Sequence, residues 1–100
     1  MNKMNKERKR LERQAEIKQN SIKRKEQVLM SSVKGCATLR MKIKEFLKEL
    51  QDSPLIEDDL EIDVEFFEDA TSEEKNILKA IIKGYRSLRE IEKEIENSFE

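Results

Sequence analysis

Histidine and tryptophan are absent from this chain of 100 residues, and cysteine, proline and tyrosine each occur once. Without an imidazole there is no histidine general base, no His-based nucleophilic triad and no Glu-x-x-His metal site of the kind built in helical bundles. A single cysteine, Cys36, excludes an internal disulfide and fits a reducing compartment. With no histidine to activate it, its thiol is expected to be buried and inert. The only glycines, Gly35 and Gly84, are too far apart in sequence to build a phosphate-binding loop. No apolar run reaches the roughly 18 residues that a membrane span needs. The basic N-terminus is followed by no apolar core of a secretory signal, and Glu7, Glu12 and Glu16 disfavour a transit peptide. The expected setting is cytoplasmic, with the nucleus also open. The protein is expected to be non-enzymatic, with no cofactor, no metal and no membrane.

What the chain has in abundance is charge, and the charge is segregated. Residues 1–50 hold 15 Lys+Arg against 6 Asp+Glu, whereas residues 51–100 hold 6 against 16, so a net charge of −1 conceals a strong dipole along the sequence. One half can fold back on the other, and either can attract a partner of opposite sign. At 36% apolar residues the chain can build a seam or a thin bundle but hardly a deep core.

Residues 1–50 lack proline, so one long basic helix is the simplest expectation. Its heptad position a reads Ala15, Ile22, Leu29, Cys36, Ile43, Leu50, and position d reads Leu11, Lys18, Lys25, Ser32, Leu39, Phe46. The seam is apolar at its C-terminal end and polar in the middle, and Val28, Val33 and Leu47 widen it from a coiled-coil stripe towards a bundle face. Gly35, beside Ser31 and Ser32, costs about 1 kcal/mol of helix propensity and marks a candidate kink. Pro54 ends the helix, with Ser53 placed to cap a new turn.

Residues 57–69 carry eight acids and no base. Within them Leu60-Glu61-Ile62-Asp63-Val64-Glu65-Phe66 alternates as a strand does, while a helical phase places Ile56, Leu60, Val64 and Phe67 on one face. No second strand is evident, so short helical turns or an extended connector are expected. Thr71 and Glu74 form a capping box at the start of the last helix. Its apolar positions recur from Ile77 and Leu78 through Ile81, Ile82, Tyr85 and Leu88 to Ile91, Ile95 and Phe99. Tyr85 and Phe99 are expected in the core.

The expected fold is therefore all-α: an antiparallel helical hairpin or coiled coil with a long basic N-terminal helix, an acidic connector and a shorter C-terminal helix. Its divisions are a projecting basic overhang at 1–20 and a hairpin at 21–100, made of a helix at 21–50, the connector at 51–71 and a helix at 72–99. A turn centred near residue 61 would set Leu50 beside Ser72 and Phe99 beside Lys23. Lys23, Arg24 and Lys25 would then face Glu94, Glu96 and Glu100, and Lys44 and Lys48 would face Glu73 and Glu74. Such pairs select orientation rather than supply stability.

For function, the candidates are the basic cluster Lys6, Arg8, Lys9, Arg10, Leu11, Arg13 and Lys18, and the acidic connector with Leu60, Ile62, Val64 and Phe66. The basic cluster suits an acidic protein groove or nucleic-acid phosphates. Residues 1–45 offer no aromatic side chain for base stacking, and no helix-turn-helix or zinc pattern is present. The connector's alternation could also add a strand to a partner's sheet edge. The expected function is that of a protein–protein interaction module, an adaptor, assembly or inhibitor-type subunit with a regulatory role. The alternatives are a small nucleic-acid-binding protein using the basic helix, and a self-associating coiled-coil structural protein, a homo-oligomer.

Overall fold

The computed structural model describes residues 2–98, with side chains from residue 6 onward. Helix α1 runs Asn2–Ser32, α2 Ala37–Asp52, α3 Leu60–Asp63 with a 3-10 turn at Val64–Phe66, and α4 Ser72–Asn97. The fold is all-α, with a long basic N-terminal helix set antiparallel to a shorter C-terminal helix and an acidic connector between α2 and α4. Phe99 and Glu100 lie outside the described residues.

The long helix divides. Ser31, Ser32 and Gly35 are poor helix formers, and residues 33–35 form a turn in which Cys36 N–H bonds the Val33 carbonyl at 3.1 Å. Cys36 then takes an extended conformation and opens α2. Gly35 has no positive φ, so the break comes from weak propensity and from what folding back buries. Beyond the turn, Leu39, Ile43, Leu47 and Leu50 are all buried. A continuous straight helix would have carried most of that stripe away from the rest of the core.

Direction follows from three pairs. Ile22 touches Gly84, Tyr85 bonds Glu26, and Ser32 bonds Glu74, so α1 and α4 are antiparallel. Helix α2 starts just after Ser32 and ends where Arg89 grips the carbonyls of Leu50, Gln51 and Ser53, so it runs alongside α4 in the same direction. The result is a three-helix bundle at one end, in a molecule measuring 53 × 24 × 19 Å. The connector then returns along α4, with the Phe46 and Phe67 rings edge to face at 5.6 Å.

The seam is close to the sequence pattern. Ala15, Ile22, Leu29, Ile43 and Leu50 of position a are buried, as are Val33, Leu47, Leu78, Ile81, Ile82, Tyr85 and Leu88. Val28 is 59% exposed and does not widen the seam. Cys36 is half-buried rather than enclosed, because it sits at the chain reversal. Thr71 and Glu74 form both hydrogen bonds of the capping box. Ser53 serves as the C-cap of α2, and no helix begins at Pro54.

The early reversal moves the pairing of α1 and α4 by about four helical turns. The expected register set Lys23 beside Phe99, whereas its neighbour Ile22 lies at the level of Gly84. Leu11 consequently borders a shallow hollow together with Glu94, Asn97 and Ser98, and Ala15 is buried. Residues 6–20 thus lie along α4 by one face, with Ala15 buried and Arg8, Leu11 and Lys18 half-buried, while the other side chains of the segment stay exposed. Among the described residues none of Lys23, Arg24, Lys25, Lys44 or Lys48 enters an ion pair.

Candidate interaction surface

The connector is where charge and packing meet. Its helical phase prevails over the strand-like one: Ile56 and Val64 are buried, and Leu60 and Phe67 pack against the core from its edge. The reason lies in α4, which offers an apolar stripe and three cations but no strand edge. Arg86 reaches the Glu57 carbonyl at 3.1 Å and Glu61 at 3.6 Å. Its Nε is buried without a hydrogen bond, 3.8 Å from Asp58. Lys79 and, at 3.6 Å, Lys75 bind Glu65, and the Lys79 hydrogen bond above all holds that carboxyl below its ordinary range.

With Val64 turned inward, Ile62 and Phe66 point outward. They are one helical turn apart and are 63% and 76% exposed. Asp59, Asp63, Glu65, Glu68 and Asp69 are exposed around them in sequence. Of the four apolar connector residues singled out as partner-binding, Val64 is removed by burial, Leu60 is half-buried, and Ile62 and Phe66 remain available. A strand added to a partner's sheet edge is excluded for this conformation, because residues 60–66 are wound into helical turns.

On α1, Lys6, Lys9, Arg10 and Arg13 are exposed. Arg8 is half-buried and pairs with Glu12 at 3.2 Å. Leu11 and Lys18 are also half-buried; Lys18 lies beside Ile17 and Ile91 in a small groove. Thus the basic cluster splits into an outward set and an inward set, and it does not meet the acidic connector, which lies further down α4.

Two polar contacts inside the bundle were not legible in the sequence. Glu74 is 5% exposed; it accepts from Ser32 Oγ at 2.5 Å and Thr71 N at 2.8 Å, and these bonds hold its carboxyl below the ordinary value. Tyr85 donates to Glu26 at 2.7 Å. Burial, aided by that carboxylate, pushes the phenol well above its ordinary value. Arg89 was missed as well: it joins three carbonyls at the end of α2 and lies over the Tyr85 ring at 5.8 Å. A hollow of about 770 Å³ opens beside it, walled by Gln51, Pro54, Leu55, Arg86 and Glu92.

Among the described residues no cluster of three or more His, Cys, Asp or Glu is arranged to hold a metal ion, and no helix is long and apolar enough to cross a membrane. Protein-family models, curated proteins and solved structures offer no match to this chain.

Proposed function

We propose that this protein is a non-enzymatic interaction module, an adaptor, assembly or inhibitor-type subunit, that docks a partner through its acidic connector. One observation carries this: Ile62 and Phe66 stand 63% and 76% exposed on adjacent turns, set among carboxylates. Exposed apolar patches rimmed by polar groups are characteristic of interaction sites. The partner that fits is a protein with an apolar recess bordered by Lys or Arg, since carboxylates steer such a surface and the two side chains fill it. In the same proposal the module works in the cytoplasm, where the half-exposed Cys36 thiol stays reduced.

The test is affinity capture from native lysate with and without nuclease, using the full chain, an Ile62→Ser/Phe66→Ser variant and an Arg10→Glu/Arg13→Glu variant. A stoichiometric protein that survives nuclease and is lost with the first variant supports the proposal. Capture that is abolished by nuclease and by the second variant would replace it with nucleic-acid binding by the basic face of α1.

A further inference from the structure

Helix α2 closes only one flank of the α1–α4 pair. Arg89 holds its end there, and Lys75, Lys79 and Arg86 hold the connector against a further face of α4. Ile91 follows Arg89 by two residues, about 200° around the helix, which sets it across α4 from α2. On that open flank a furrow of about 340 Å³ lies between Gln14, Ile17, Lys18 and Ser21 of α1 and Ile91 of α4. Along α1, Ile17, Ser21, Arg24 and Val28 are spaced four, three and four residues apart, and Ala80, Gly84, Ser87 and Ile91 repeat that spacing along α4. Each set holds one side of its helix for about three turns, roughly 17 Å. Gly84 meets Ile22 where the helices cross, so the two stripes run side by side. Ile17 and Val28 are 63% and 59% exposed, and Ala80, Ser87 and Ile91 are half-buried.

The border of this furrow is cationic. Lys18, Arg24 and Lys25 stand along α1 and Lys83 along α4, and none of them enters an ion pair among the described residues. The carboxylates of the same stretches are turned elsewhere. Glu16 borders the hollow over Ala15 and Ile95, Glu26 accepts from Tyr85, and Glu90 lines the hollow at the end of α2. Acids appear only past the furrow's far end, where Glu7 and Glu94 stand beside Leu11. We propose that this furrow docks an acidic amphipathic helix of another protein, laid along α1 and α4 on the flank opposite α2 to complete a four-helix arrangement. The space between two packed helices is the shape a third helix fills. Its apolar seam covers Ile17, Val28 and Ile91, and its Asp or Glu flanks meet Arg24 and Lys25 on one side and Lys83 on the other. Charge and burial together choose this class of partner. Nucleic-acid phosphates would meet the cations but leave Ile17 and Val28 in water, and a helix without acids would leave the cations unmatched. Ile62 and Phe66 take no part, so this surface stands or falls separately from the connector's role.

Selection of displayed helical peptides against the full chain tests it, with an apolar heptad seam held fixed and the flanking e and g positions randomised. Nuclear magnetic resonance of the labelled full chain then maps where the selected peptides bind. The expected result is a family with Asp or Glu at the flanks, whose shift changes fall on Ile17, Ser21, Val28, Ser87 and Ile91. Its affinity should fall as salt rises. Two variants at exposed positions, Arg24→Glu/Lys83→Glu and Ile17→Ser, are checked for folding by circular dichroism. The first should bind these peptides at least about tenfold more weakly, because like charges are then opposed, and the second should weaken them too. A selection that yields only Lys- or Arg-flanked peptides mapping to Ile62 and Phe66 would support the connector's role and overturn this proposal. Acidic peptides that the charge reversal leaves bound would overturn it as well. So would furrow shifts produced by a DNA duplex, by anionic vesicles or by concentrating the chain alone, with no acidic peptide bound.

Discussion

Glu74 shows how one residue links local capping to tertiary packing. Its side chain completes the Thr71 capping box and also accepts from Ser32, forty-two residues away in sequence. Thr71→Ala removes the cap and is expected to cost about 1 kcal/mol. Glu74→Gln should cost more at neutral pH, because a charged acceptor in a nearly closed site is replaced by a neutral one. The sign of its pH dependence follows from its lowered pKa. The carboxylate's contribution is complete above the ordinary value of 4.5 and fades as pH falls through the depressed value. Thermal melts of wild type and Glu74→Gln should therefore converge as pH drops below that value, and a gap that stays constant would contradict it. The capping box was legible as Thr71-Ser72-Glu73-Glu74, whereas Ser32 was not, since nothing local ties a serine at the end of one helix to the start of another.

At the scale of elements, the two glycines play opposite parts. Gly84 sits where α4 crosses α1, and a Cβ there would lie 2.9 Å from Ile22 Cγ1. Ile22 is 2% exposed, and that carbon hangs directly on its branched Cβ, which leaves it little rotamer freedom to move aside. Overpacking of roughly 1–3 kcal/mol outweighs the gain of about 1 kcal/mol in helix propensity, and Gly84→Ala should destabilise by about 1 kcal/mol net. Gly35, by contrast, has open space around it and no positive φ. Gly35→Ala should be neutral or stabilise by up to about 1 kcal/mol through the unfolded chain. Chemical denaturation of both variants checks the pair. The periodicity of α4 was readable because a 3.6-residue stripe survives in any register. The Cys36 reversal was visible only as a weak spot, because Ser31, Ser32 and Gly35 lower the cost of a break without requiring one.

For the whole molecule, the register of α1 on α4 changes what the N-terminal segment is for. A solvated overhang could be removed without effect. In this bundle, deleting residues 1–20 uncovers Ile91 and Ile95 and removes Leu11 and the buried Ala15. The truncated chain should lose on the order of 1–3 kcal/mol of stability, and an unchanged denaturation midpoint would restore the overhang. By itself the sequence determined the all-α class, the helix-forming stripes, the capping box, the acidic connector and the heptad positions that became core, because these depend on spacing and propensity along the chain. Only the tertiary structure decided where the chain turns back, which cations meet which carboxylates and which apolar side chains stay outside. Those depend on competition for burial. Folding α2 back at Val33–Cys36 closes more of the apolar stripe than exposed ion pairs of about 0–1 kcal/mol can oppose, so the charges take whatever partners the packing leaves within reach.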